Sequence, residues 1–346
     1  MEDRLLAMPK VDLHVHLDGS VLPETVIALA KEGGYKLPVW EPELLSPYMR
    51  VEDVCGSLIE YLKKFQFVGQ FLHTAPALTR TAYEVVAQAS EQGCRYIEVR
   101  FAPQLHRLLG LSVEGAIRAV LDGLRQGERD YGVIARCIAI CLRGHSEEQN
   151  REVVREAAHF LGKGIVAVDL AGAEAAYPPE LYRDVFNMAR ERGLPVTIHA
   201  GEAAGAGSVR SAVEALGAVR IGHGVRMREE SDVVELIRRA GIPLELCPAS
   251  NLQTGTVASW DDYPLRAYFD LGIPVTVNTD NLTVSNTTIT REYAIVRDKL
   301  GFGDAELAKL AMNGANAAFL SGDEKRSLVS AMKRGLDAWL GQDPAS

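Results

Sequence analysis

The chain is poor in cysteine and has no pair of cysteines at CxxC spacing. Its five, Cys55, Cys94, Cys137, Cys141 and Cys247, are scattered and odd in number. That excludes a disulfide framework and points to a reducing compartment. No apolar run reaches the length of a membrane span, and the opening MEDRLLAMPK has no hydrophobic core of a secretory signal. No Lys/Arg cluster is present and the net charge is −9, so nucleic acid and anionic membrane surfaces are disfavoured as partners. No GxGxxG follows an early strand, which removes the main signature of a dinucleotide-binding open sheet. What remains is a 346-residue chain, 47% hydrophobic and 24% charged, the balance of a globular protein. A cytoplasmic location is expected.

Short apolar runs recur along the chain, at 11–16, 96–103, 133–142, 165–172, 195–201, 220–225, 243–251 and 274–281. Amphipathic segments lie between most of them. PELYRDVFNMARERG, SVRSAVEALG and SDVVELIRRAG each close on a glycine, the expected helix C-terminal signal. Strand–helix alternation implies parallel strands with helical crossovers. Eight such units predict an α/β fold, a (β/α)8 TIM barrel in one domain over residues 1–346. The first connection, residues 17–95, is long enough to insert extra helices between the first and second strands. Within it, EDVCGSLIEYLKKFQF sets Val54, Leu58, Leu62 and Phe65 on one helical face, suited to packing on the barrel or covering its mouth. The chain from Gly303 reads as helices ending in a polar GQDPAS, with fraying expected over about 330–346.

In such a barrel the chemistry belongs at the C-terminal strand ends. His14 and His16 end the first strand, two apart and so on one face. The fourth ends at Gly172, the fifth at His199 with Glu202 just beyond, the sixth at His223 and the eighth at Asp280 and Asn281. Four of the chain's eight histidines therefore gather at three strand ends. Burying them together without a partner is costly, and a bound cation removes that cost. Imidazole-rich N/O ligation suits zinc best, with iron, cobalt and nickel as alternatives. A metal, a nearby carboxylate and a further histidine are the equipment of a hydrolase.

The stretches HVHLDGS, DLAGAE, HAGEAAGAGS, RIGHGVR and NTDN together resemble the adenosine deaminase family of zinc aminohydrolases. The likeness runs from near residue 8 to about 320. It implies His14, His16, His199 and Asp280 as ligands of one Zn2+ per chain. It implies Glu202 as the acid that protonates purine N1, and His223 as the group that orients the attacking hydroxide. It implies Gly172 as the backbone donor to N3, and His16 and Asp18 at the ribose 5′-hydroxyl. The partner would be a small purine nucleoside, adenosine or 2′-deoxyadenosine. Two positions depart from the family's pattern. Asn281 stands where an aspartate contacts N7, and its amide can donate at any pH. Ala173 stands where an acidic residue is usual. Related subgroups deaminate adenine, typically with Glu at the position of Asp18, or a 5′-substituted adenosine such as aminodeoxyfutalosine.

Rival classes fit less well. Two-metal hydrolases on this fold often use a carboxylated lysine, and none of the expected strand ends carries one. Base deaminases of the other zinc type need HxE with PCxxC, which LCPAS around Cys247 does not supply. A non-catalytic relative would be expected to have lost ligands or the acid, and all are present.

Overall fold

The computed structural model describes residues 2–51, 55 and 58–341. Eight strands follow in order: β1 Lys10–His16, β2 Cys94–Phe101, β3 Ile134–Leu142, β4 Ile165–Ala171, β5 Thr197–Ala200, β6 Arg220–His223, β7 Leu244–Leu246 and β8 Val275–Val277. Each pairs in parallel with the next within two four-stranded halves, β1–β4 and β5–β8. Single bridges close the halves into a barrel. Val168 of β4 meets Val196, with Val168 N donating to Pro195 O at 3.0 Å. Val15 of β1 meets Asp280, with His16 N donating to Asp280 O and Asp280 N to His14 O, both at 2.7 Å. The expected TIM barrel is the observed fold.

The helices form where amphipathic periodicity and end signals agree. Glu147–His159 begins with a capping box from Ser146 and Gln149. Val113–Tyr131, Ser231–Ala240 and Ile289–Leu300 each end on a left-handed glycine, Gly132, Gly241 and Gly301. Along β1, Val11, Leu13 and Val15 join the hydrophobic core, while His14 and His16 project to the barrel interior. A Cβ at Gly314 in helix Asp304–Ala317 would lie 3.2 Å from the Val11 Cβ, so that helix lies close on the strand. Among the described residues no helix is long and apolar enough to cross a membrane.

The long first connection carries three extra helices, Pro23–Gly33, Pro42–Met49 and Leu58–Gly69, before the crossover helix Ala75–Glu91. Leu58–Gly69 corresponds to the expected amphipathic segment. Val54 lies outside the described residues, as do the side chains of Leu58 and Leu62. Phe65 and Tyr61 line the cavity at the barrel mouth, so this helix forms part of its wall.

Two expectations need correction. Residues 248–251, read as the end of a strand, open the helix Pro248–Gln253, because proline at the first helical turn has the right φ and no N–H to lose. Fraying does not begin near 330. Helix Gly322–Leu340 runs through that segment with Met332, Leu336 and Trp339 buried, and Trp339 Nε1 donates to Arg4 O at 2.8 Å. Residues 342–346 lie outside the described residues.

The barrel interior carries a buried ionic network beside its apolar residues. Arg100, Arg220, Glu98, Glu245 and Asp169 are all fully buried. Arg220 holds Glu98 and Glu245. Arg100 donates to Glu245 at 2.7 Å and to Asp169 at 2.9 Å. At the lower end Phe319 lies over the Arg220 guanidinium, 3.8 Å to the ring centroid. A hollow of about 780 Å³ opens there beside Arg136, Lys163 and Phe319, and none of the candidate residues lines it.

Candidate active site and metal centre

The opposite end holds a cavity of about 150 Å³. His16, Asp18, Gly172, His199, Glu202, His223, Asp280 and Asn281 all line it. His14 sits immediately beneath, its ring centroid 4.6 Å from that of His199 and 4.8 Å from that of His223. All nine residues singled out from the sequence thus meet at one place.

Four donor atoms converge. His16 Nε2 lies 3.2 Å from His199 Nε2. Asp280 Oδ1 lies 3.3 Å from His16 Nε2 and 3.4 Å from His14 Nε2. His14 Nε2 is buried and has no hydrogen-bond partner among the described residues. The far sides of two rings are held by carboxylates: His14 Nδ1 by Glu245 Oε2 at 2.8 Å, and His199 Nδ1 by Asp169 Oδ2 at 2.9 Å. A neutral imidazole that gives its Nδ1 proton to a carboxylate turns its Nε2 lone pair inward. Lone pairs and a carboxylate oxygen then face one another, an arrangement that calls for a cation. The residues fit a divalent metal.

The electrostatics agree. Burial pushes the His14 ring down to about 4, helped by the Arg100 charge and by His199. Burial also carries His16 well below its usual value. Neutral imidazole is the ligating form. Burial alone would raise the Asp280 carboxyl, but His14, His16 and His223 hold it well below the usual range. Ser250 Oγ donates to its second oxygen, Oδ2, at 2.6 Å. His199 goes the other way: desolvation disfavours its charge, but Asp169 outweighs that and raises the ring above its usual value.

Local backbone positions these groups. Asp280 and His223 adopt left-handed φ of 61° and 62°, uncommon for side chains other than glycine and typical of functional sites. Gly222 lets the His14 ring cross the barrel: a Cβ there would lie 3.2 Å from His14 Cε1 and 3.3 Å from the His199 Cα. The last bond of the β3–β4 ladder runs from Arg143 N to Ala171 O at 2.9 Å, leaving the Gly172 N–H beyond it at the cavity wall.

Glu202 faces His223, Oε2 to Nε2 at 3.6 Å. Burial raises its carboxyl pKa, with Asp280 and Glu174 adding to the rise and His223 and His199 opposing it. Its loop is built on Glu174. That buried carboxylate accepts the backbone N–H groups of Gly201 (2.7 Å), Glu202 (3.1 Å), Ala203 (2.7 Å) and Ala204 (3.0 Å), and the Ser208 hydroxyl at 2.6 Å. Asp18 is buried at the wall, and desolvation raises it to about 6. Asn281 Nδ2 donates to the Tyr61 hydroxyl at 2.8 Å, which in turn meets Ser285 Oγ at 2.7 Å. Phe65, Ala102, Leu105, Ile140 and Leu142 supply the apolar wall.

Sequence reasoning missed the supporting residues: Glu245, Asp169 and Arg100 inside the barrel, Ser250 and Asn251 after β7, and Tyr61. It quoted Asp169 and Glu174 within one motif without giving either a role. One signal was available. Glu98, Arg100, Asp169 and Glu245 are charges inside otherwise apolar strands, at positions that must face inward.

Comparison with known proteins places the chain in a family and a fold. The adenosine deaminase family profile matches residues 9–334. A Clostridium botulinum protein named adenosine deaminase is 39% identical over 326 residues, 94% of this chain and 97% of its own. One from Enterococcus faecalis is 40% identical over 328 residues, 94% and 96% of the two chains. Among solved structures, an adenine deaminase from Arthrobacter aurescens superposes with a TM-score of 0.87 at 29% identity, covering 97% of this chain and 100% of that one. A zinc-bound amidohydrolase from Burkholderia ambifaria gives 0.89 at 25% identity, covering 98% and 93%. The chain belongs to the adenosine deaminase family.

Proposed function

We propose that the protein hydrolyses adenosine or 2′-deoxyadenosine at purine C6, releasing ammonia and leaving inosine or 2′-deoxyinosine. The observation that carries this reading is the pairing of Glu202, a carboxyl whose pKa is raised by burial, with a converging set of metal-binding side chains across one small cavity. His14, His16, His199 and Asp280 would hold one zinc ion. When bound, such an ion lowers the pKa of water toward neutrality and makes hydroxide available.

The chain's own residues do the rest. Burial, which raises the Glu202 carboxyl, favours the protonated form that donates to N1. Donation there makes C6 electrophilic and offsets part of the aromaticity lost on addition. Acid–base assistance of this kind contributes roughly 10²–10⁴-fold. His223, on the same side of the cavity, orients the attacking oxygen. The Gly172 N–H meets N3. The Asn281 amide has two hydrogens, one given to Tyr61 and the second left for N7. Asp18 and His16 face the ribose 5′ side. The apolar wall around Leu105, Ile140 and Phe65 packs on the purine.

Ammonia release from a panel of adenosine, 2′-deoxyadenosine, adenine and 5′-substituted adenosines tests the reading. Adenosine and its 2′-deoxy form are expected to give the highest kcat/KM. Activity confined to adenine or to the 5′-substituted members would move the substrate. Inactivity on every member would end the deaminase reading.

A further inference from the structure

His223 presents Nε2 to the cavity. What it can do there depends on which ring nitrogen carries the proton. With a lone pair on Nε2 it could bind a metal, and its ligating atom lies within 4.8 Å of those of His14 and His199. The same lone pair could take a proton from water. With hydrogen on Nε2 a neutral ring can do neither and can only donate.

Asn251 decides between these states. Its Nδ2 lies 2.9 Å from His223 Nδ1. The shape of an amide does not distinguish nitrogen from oxygen, so neighbours must fix the assignment. The other end of the Asn251 amide meets the Cys247 backbone N–H at 3.3 Å and the Tyr263 hydroxyl at 2.9 Å. A backbone N–H can only donate, so the atom facing it is the carbonyl oxygen. The atom facing His223 is then the NH2 group, a donor, and Nδ1 must accept. A neutral ring carries one proton, which falls on Nε2.

Asn251 itself is fully buried and anchored, its own N–H donating to Cys247 O at 2.9 Å in helix Pro248–Gln253. The contrast with the neighbouring rings is direct. His14 and His199 turn Nδ1 to carboxylates, which puts their lone pairs on Nε2. His223 turns Nδ1 to an amide donor, which does the reverse.

We infer that Asn251 is a positioning residue that holds His223 as the Nε2–H tautomer. His223 is thereby kept out of the metal's ligand set and acts as a hydrogen-bond donor to the reacting oxygen, not as its proton acceptor. The Glu202 carboxyl, 3.6 Å from Nε2, faces the same donor. The role toward the reacting oxygen rests on the deaminase reading; the tautomer does not.

The test uses the full-length, zinc-loaded protein with 15N-labelled histidine and long-range 1H–15N correlation, His223 being assigned by the signals missing in His223→Gln. The expected pattern is a protonated Nε2 and an unprotonated Nδ1. A protonated Nδ1 in the wild-type protein overturns the inference, whatever the substrate panel shows. In Asn251→Asp the carboxylate must accept, so the proton moves to Nδ1. The pattern should reverse, and kcat should fall between about 10² and 10⁴-fold, the cost of a wrong-tautomer histidine. KM and zinc per chain should stay within twofold. Full kcat in Asn251→Asp, or lost kcat with the wild-type pattern, overturns the role. Should that variant not fold, the wild-type spectrum still decides.

Discussion

Glu174→Gln should damage the loop that carries Glu202, the acid of the proposed reaction. The wild-type carboxylate takes five hydrogen bonds: three backbone N–H groups on Oε2, and the Gly201 N–H and Ser208 hydroxyl on Oε1. A glutamine can put its oxygen in the Oε2 position and keep Glu202, Ala203 and Ala204. Its NH2 then sits against the Gly201 N–H, donor facing donor, while the Ser208 hydroxyl can turn to accept. One buried N–H loses its partner, at about 1–3 kcal/mol. The three retained bonds lose their charge assistance, roughly half their strength. Relaxation of the loop returns part of this, so urea unfolding should show a loss of about 2–4 kcal/mol. Gly201 has φ of 73°, so the loop cannot simply shift one residue along. Glu202 should leave its position opposite His223, and kcat/KM on adenosine should fall more than about 10²-fold. A variant with unfolding free energy within about 0.5 kcal/mol of wild type and undiminished kcat would refute the claim that this carboxylate holds the acid in place.

Three further outcomes are expected. Burial raises the Glu292 carboxyl to about 8, opposed by its bonds from Thr287 Oγ1 (2.5 Å) and Ala249 N (3.0 Å). The folded chain therefore holds a proton that the unfolded chain has released between about pH 4.5 and 8. This contribution to stability is full below that window and is lost as pH rises through it, by about 1.4 kcal/mol per unit. Glu292→Gln should remove that component, and parallel denaturation series from pH 5 to 8 would reveal a slope that persists. Asp169→Asn takes the charged acceptor from His199 Nδ1 and should weaken zinc binding about 10- to 100-fold, measured by competition with a chromogenic chelator; unchanged affinity would contradict the role given to Asp169. Gly222→Ala forces a methyl against His14 Cε1 and the His199 backbone. It should cost about 1–3 kcal/mol of stability and lower zinc occupancy, whereas full occupancy would mean that the ring has room to move.

The strand–helix order and the residues that converge at the cavity were legible because both rest on local signals. The period-two alternation of Val11, Leu13 and Val15 with Asp12, His14 and His16 marks one face of a strand. The HxH pair, HAGE and RIGHG then mark strand ends within a few residues. The end of β7 was misread because Cys247 to Asn251 keeps a mixed apolar pattern while Pro248 starts a helix, and the Ser250 and Asn251 contacts went with it. The interior ionic network was hidden for a different reason. Charged side chains are almost never fully buried unless paired, and the partners lie far apart in sequence. Arg100 and Glu245 are separated by 145 positions. Each charge is visible in its strand, but nothing local says which partner it meets. Nor does sequence announce the left-handed backbone at His223 and Asp280, where glycine would be the ordinary choice.

The barrel closes where β4 meets Val196 and where β1 meets Asp280. The four side chains assigned to the ion straddle the two halves: His14 and His16 come from the first half, His199 and Asp280 from the second. An ion held by all four is a rivet through both halves, fastened beside the seam where β1 meets the chain after β8. With an ion bound as proposed, chemistry and cohesion of the two half-cylinders would be vested in the same few atoms, and stripping the metal would loosen the vessel as well as empty it.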